Sequence, residues 1–190
     1  MESASRVGRP RVSSRETLAE AACELYLERG YGNTSVSDIT LRAGVSRSSF
    51  FNYFSSKHEL LWYGVDERID ALEQALSQPD GPGLAQALGQ FATDLRPDTL
   101  ALAIVNAEAM AAEADLERET ALRALRIGRA VSAWLRFDGA NALRAQVLGA
   151  AYGAALMVAL QRWAIDGAGR TSLESHLHEA LAIIAEMPAE

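Results

Sequence analysis

Residues 18–61 read LAEAACELYLERGYGNTSVSDITLRAGVSRSSFFNYFSSKHELL, and this stretch decides the fold. Its punctuation is that of short helices. Leu18, Ala21, Ala22 and Leu25 share one helical face, and Gly30 follows as a left-handed cap. Ser35-Val36-Ser37-Asp38 resembles a capping box that opens a second helix through Arg42. Ala43-Gly44-Val45 is a tight turn, since Gly44 permits the positive φ that such a turn needs. Ser46 caps a third helix, and Val45 with Phe50, four positions inside it, forms a hydrophobic staple. Two short helices joined by this turn and packed on a longer first one make a helix-turn-helix, centred on about 35–54. Ile39, Val45 and Phe50 face inward. Arg47, Ser48, Ser49 and Asn52 are left outward, small or rich in donors and free of acid. A helix that enters the major groove of DNA needs that surface, because phosphates repel carboxylates.

Working outward, Ser13-Ser14-Arg15-Glu16 is an S-x-x-E box at the start of the first helix, and residues 1–11 read as a flexible basic arm. Downstream, Ser56-Lys57-His58-Glu59 repeats the box and predicts a long helix to about Leu76, broken by the Pro/Gly-rich stretch 78–83. Five more helices are expected, at about 83–95, 97–112, 114–137, 140–167 and 171–187. No segment has the β-branched alternation of a hairpin. The reading is all-α, about nine helices: an N-terminal three-helix helix-turn-helix domain at 12–72, then a helical domain at 73–190.

Charge divides along the same line. The chain of 190 residues has a net charge of −7, yet residues 1–65 carry eight basic against seven acidic groups, and residues 66–190 ten against eighteen. A single cysteine, Cys23, excludes an internal disulfide, a four-cysteine zinc site and a CxxC redox centre. His176 and His178, two apart, point to different sides of a helix and make no metal pair, so no metal and no cofactor is expected. No GxGxxG, P-loop, HExxH or GxSxG is present, which argues against an enzyme. The 17 uncharged residues between Arg144 and Arg162 are Ala/Gly-rich and read as a buried helix rather than a membrane span. With no apolar leader in the first residues, the expectation is a cytoplasmic protein.

The quoted stretch resembles the DNA-binding domain of the TetR family of transcriptional regulators. The resemblance rests on Ala21-Ala22 with Leu25, Gly30-Tyr31, Thr34-Ser35-Val36, Asp38-Ile39, Ala43-Gly44-Val45-Ser46, Phe51, Tyr53-Phe54, Ser56-Lys57 and Glu59-Leu60-Leu61. Thr40 stands where the family usually has Ala, and Phe51 where it usually has Tyr. The Phe-Phe-Xaa-Tyr-Phe form is similar to actinobacterial members. The resemblance implies that Thr34 and Ser35 touch phosphate, that Arg47, Ser48, Ser49 and Asn52 face base edges or nearby phosphates, and that the Tyr53 hydroxyl and Lys57 approach the backbone. Separately, Gly8-Arg9-Pro10 resembles the core of minor-groove AT-hook peptides, so Arg9 and Arg11 either enter a minor groove or belong to a tail that attracts DNA by charge alone. Phe50, Phe51 and Phe54 read as core.

For the second domain the resemblance implies a small-molecule inducer and a homodimer on a pseudo-palindromic operator. Gly149 and Gly153 form a G-x-x-x-G, with Ala151, Ala155 and Ala159 on nearby rows. Leu173, Leu177, Ala180, Leu181 and Ile184 make an apolar stripe. Together these predict dimerisation through the helices at about 140–167 and 171–187. Phe91, Leu102, Asn106, Met110, Ile127, Trp134, Tyr152 and Leu156 are the candidate ligand-binding residues, and they suit a small, largely apolar ligand. The expected function is a one-component regulator, a repressor released by such a ligand. The alternative is an architectural or co-regulatory DNA-binding protein with no inducer.

Overall fold

Every helix start with an oxygen-bearing cap marks a place where the chain turns. In the computed structural model, which describes residues 14–96 and 98–186, such caps start five of nine helices, with no strand among the described residues. The nine are α1 (Ser14–Arg29), α2 (Val36–Ala43), α3 (Arg47–Phe51), α4 (Lys57–Ser77), α5 (Leu84–Ala92), α6 (Thr99–Val105), α7 (Glu113–Phe137), α8 (Ala142–Ile165) and α9 (Leu173–Ala185). The arm with Arg9 and Arg11, and the box residue Ser13, lie outside the described residues.

The caps show why the first four helices sit where they do. Ser35 accepts the Asp38 N–H while the Asp38 carboxylate accepts the Ser35 N–H, a complete capping box. Gly44 closes α2 with φ 68°, left-handed as the turn requires. Ser46 accepts the Ser49 N–H at 3.0 Å and starts α3. The box expected at Ser56 is corrected: Ser56 caps nothing with its side chain. The Glu59 carboxylate instead accepts from the Ser55 N–H, at 2.8 Å, and from the Ser55 hydroxyl. Glu59 reaches one residue further back than a capping box does, so the stop is made by the residue before the cap.

α1, α2 and α3 close over Leu18, Leu25, Tyr26, Ile39 and Phe50, all buried. α4 belongs to both halves. Its first turns carry Leu60 and Leu61 into that cluster, and Ile69, Leu72 and Leu76 continue the same apolar core among α5 to α9. Two expected helices end early. α5 stops at Ala92, where Asp94 takes φ 55°. α6 stops at Val105, where the Asn106 amide turns back to donate to the Leu102 carbonyl at 2.8 Å. The turns that follow present the Met110 carbonyl to the Tyr31 N–H at 2.6 Å, joining the second half to the α1–α2 connection.

α7 and α8 meet backbone to backbone. A Cβ on Gly128 would stand 2.9 Å from the Gly149 carbonyl oxygen, and one on Gly153 would collide with the Ala124 carbonyl oxygen. The expected close approach is present, but within the chain. The G-x-x-x-G face is therefore corrected from a dimer surface to an internal seam. Leu173 and Leu177 of the α9 stripe are likewise buried in the chain's own core. By length and apolar composition α8 is also a candidate to cross a membrane, and its glycine row is buried against α7. The outward face of α8 carries a different row, Leu143, Val147, Val158 and Ile165, and α9 adds Ile183. Gly153→Ala should lower the urea unfolding stability by about 2 kcal/mol, because the added methyl meets backbone and not a movable side chain. An unfolding midpoint unchanged from wild type would show that the seam has slack.

Candidate nucleic-acid interface

The end of α2, the turn and α3 present a surface without carboxylates of their own. From Ile39 to His58 there is no Asp or Glu in 20 residues, in a protein that has 25. Arg47, Ser48, Asn52 and Tyr53 are exposed, and Ser49 is half-buried with its hydroxyl 2.8 Å from that of Ser46. Asn52 caps the end of α3. Tyr53 lies just beyond it, with the Arg15 guanidinium 5.9 Å from its ring centroid. Ser35 is exposed as well, though its hydroxyl already serves Asp38. Arg47, Ser48, Ser49, Asn52 and Tyr53 thus lie together on α3 and the turn that ends it, and Ser35 stands at the start of α2.

Two expected contacts are elsewhere. Thr34 is only 2% exposed, and its hydroxyl donates to the Gly30 carbonyl at 3.0 Å. It packs the α1–α2 connection and offers no surface to a phosphate. Lys57 is half-buried, and its ammonium donates to the Tyr31 carbonyl at 2.7 Å and the Thr34 carbonyl at 3.1 Å. The same group lies 4.2 Å from the Tyr31 ring centroid, a cation–π contact. Loss of water around it holds the amine below its ordinary value. Lys57 therefore fastens the domain together rather than standing free at its surface.

The other cations of this domain are also engaged. Arg42 is clamped by Glu24 and Glu28, Arg29 lies 3.7 Å from Asp38, and Arg15 pairs with Glu67. Among the described residues of the domain, Arg47 is the one cation with neither a carboxylate nor a carbonyl partner. It lies against Phe51, with its guanidinium carbon 5.6 Å from the ring centroid. Phe51, expected in the core, is 48% exposed, because α3 ends there and turns that edge of the helix outward.

Behind this surface runs a polar seam to the second half. The Tyr31 hydroxyl and His58 Nδ1 are 2.7 Å apart, and His58 Nδ1 is 3.8 Å from Glu119. Arg123, 7% exposed, makes a bidentate pair with Asp66 (2.8 and 2.6 Å), a bond to Glu119 at 2.8 Å, and stacks 4.3 Å from the Trp62 ring. Buried charge is tolerated only when paired in this way. Glu119 and Arg123, one helical turn apart, are visible in the sequence as a pair; Asp66, far away in the chain, is not.

Of the candidate ligand residues, Phe91 borders a cavity of about 60 Å³ between α4 and α5. Met110, Ile127 and Leu156 are packed core, Trp134 and Tyr152 half-buried, and Leu102 is exposed. The Asn106 amide is spent on ending α6. Larger open grooves flank α7 instead, and two of them are mainly apolar. One, about 590 Å³, lies against α4 and includes Leu76, Leu122, Leu125 and Ala130; the other, about 510 Å³, lies against α8 and includes Gly128, Ser132, Ala133 and Ala150. Among the described residues no group of three or more His, Cys, Asp and Glu could hold a metal ion.

Residues 18–62 match the family model described as bacterial regulatory proteins, tetR family. The chain is 33% identical over 76 residues to a regulator assigned to mycofactocin biosynthesis, MftR, in Mycobacterium tuberculosis, covering 40% of this chain and 38% of that protein. It is 36% identical over 67 residues to the HTH-type transcriptional repressor DhaR of Mycobacterium sp. strain GP1, covering 35% and 34%. The similarity thus spans little more than a third of either relative. A structure assigned to the TetR family from Syntrophomonas wolfei shares the fold over 93% of this chain and 97% of that one, with 15% identity and a TM-score of 0.52. Lys57→Met should cost about 1–2 kcal/mol of folding stability, because two carbonyls lose a charged donor. Arg47→Ala should leave stability within about 0.5 kcal/mol of wild type. Urea unfolding of both variants checks this, and equal midpoints for the two would refute the structural role of Lys57.

Proposed function

We propose that this chain, whose N-terminal domain belongs to the tetR family of bacterial regulatory proteins, is a one-component transcriptional regulator acting in the cytoplasm. It binds double-stranded DNA through α3, as a homodimer on a pseudo-palindromic operator, and represses until a small, largely apolar ligand releases it. The observation that carries the DNA reading is the state of Arg47: exposed, unpaired among the described residues, and set in the acid-free stretch 39–58 beside exposed Ser48, Phe51, Asn52 and Tyr53. An arginine kept free of carboxylates can turn its fork on guanine O6 and N7. Tyr53 and the arm arginines, Arg9 and Arg11, supply contacts to the phosphates and the minor groove in this reading.

The dimer uses the outward row of α8, Leu143, Val147, Val158 and Ile165, with Ile183 of α9. Five large apolar side chains left to water along two helices support an interface there. Two α3 helices about 34–36 Å apart would then meet successive major grooves on one face of the duplex. The ligand lies against α7, in the groove shared with α4. The support is that Leu76, Leu122, Leu125 and Ala130 give it apolar walls beside the Arg126–Glu73 pair and Arg129, and that α4 carries the DNA-binding domain on its other end. A ligand there acts by its difference in affinity for two placements of α4, on the order of 1–3 kcal/mol for such regulators.

Selection from random duplexes by the full-length protein should enrich a site with two-fold symmetry. On that site Arg47→Ala should weaken binding by about 1–3 kcal/mol and relax preference at one guanine. Equal losses on the selected site and on random DNA would reduce Arg47 to a phosphate contact, and enrichment of no sequence would overturn the reading. Val158→Glu should shift the sedimentation equilibrium from dimer to monomer while the circular dichroism stays helical. A variant that remains fully dimeric would place the interface on another face.

A further inference from the structure

We infer that Arg47 and Phe51 form one base-reading unit, taking a guanine on the guanidinium and the 5-methyl group of a neighbouring thymine on the phenyl ring. The inference rests on the reading of α3 as the helix that enters the major groove. The two residues stand one turn apart on α3, and the Arg47 guanidinium carbon is 5.6 Å from the Phe51 ring centroid. The ring does not hang free. Phe50, fully buried, meets it edge to face, with centroids 5.3 Å apart and planes at 80°. One side of the ring is thus braced on the core while about half of the residue faces water.

That exposure calls for a partner of particular chemistry. A phenyl ring donates and accepts no hydrogen bond, so a phosphate or a polar base edge gains nothing from it. The apolar group that the major groove offers is the thymine methyl. Stacking on the ring also restricts the arginine, whose planar fork then leaves fewer rotamers to be frozen when it meets guanine O6 and N7. A separation of 5.6 Å exceeds one base-pair rise of about 3.4 Å and falls short of two, so the two groups address base pairs at most two apart. Tyrosine in the place of Phe51 would bring a hydroxyl to the methyl, and the ring would no longer be purely apolar.

The test uses the full-length protein and the operator it enriches from random duplexes, with affinities read by fluorescence anisotropy at one salt concentration. The guanine read by Arg47 is the base pair whose replacement ceases to matter in Arg47→Ala. Each thymine within two base pairs of it is then replaced by deoxyuridine, which lacks only the methyl. One such replacement should weaken wild-type binding about fourfold, the worth of one buried methyl group. Phe51→Ala should show no penalty at that position. Phe51→Leu should keep the penalty, having an apolar side chain, but discriminate guanine about tenfold less, having no ring for the arginine to stack on. The unit is overturned if every deoxyuridine duplex binds the wild type as tightly as the parent, or if Phe51→Ala keeps the full penalty. The first result needs no variant to fold. If a site is enriched and Arg47→Ala relaxes one guanine while deoxyuridine is neutral, this inference alone fails. If no site is enriched, the DNA reading fails with it.

Discussion

The Lys57 ammonium, laid on the Tyr31 ring and bonded to the Tyr31 and Thr34 carbonyls, pins the connection between α1 and α2 to the start of α4. Much of the rest depends on it. Lys57 is the first residue of α4, so the same contact ties the start of the longest shared helix to the α1–α2 connection. Tyr31 then hands the constraint on: its N–H bonds the Met110 carbonyl and its hydroxyl meets His58, which faces Glu119 of α7. An ammonium with carbonyl partners is a firm tie, because both carbonyls sit where water is scarce and each is strengthened by the charge. The helix-turn-helix is held at one point by chemistry that also reaches α7 in the second half.

How much of this was legible in the sequence follows from how far apart the partners lie. Ser35 with Asp38, Gly44 at the turn and Ser46 with Ser49 are separated by a few residues, so their hydrogen bonds are written locally and the first three helices can be read directly. Glu59 shows the limit of local reading: the pattern S-x-x-E is correct in type, yet the carboxylate reaches Ser55. Lys57 and Thr34 were expected at phosphates because the family pattern puts them there. Thr34 finds the Gly30 carbonyl only four residues back, a local bond like the caps, whereas the Tyr31 and Thr34 carbonyls that hold Lys57 become visible only when α4 is packed on the α1–α2 connection. Arg123 with Asp66 is the same case at a greater distance.

The glycines of α8 teach a related point. A row of small residues reports that two backbones come close, and says nothing of which backbone arrives. Here it is that of α7, and the face available to a second copy is marked by large apolar side chains in water. The candidate ligand residues rest on apolar character and on the central helices that line pockets in the resembled family, two signals that packed core shares. Met110, Ile127 and Leu156 are core, and the open space lies along Leu122 and Leu125, whose exposure depends on how α4 and α8 flank α7.

A seam built from main chain has no rotamers. Where side chains separate two helices, a push on one is absorbed by torsions that hop from well to well, and the neighbour moves less than it was moved. Between Gly128 and Gly149, and between Ala124 and Gly153, nothing of that kind intervenes. α7 and α8 are therefore mechanically one plank. A tilt of α7 beside Leu122 and Leu125 is thus passed with little loss to α8 and its outward row of Leu143, Val147 and Val158.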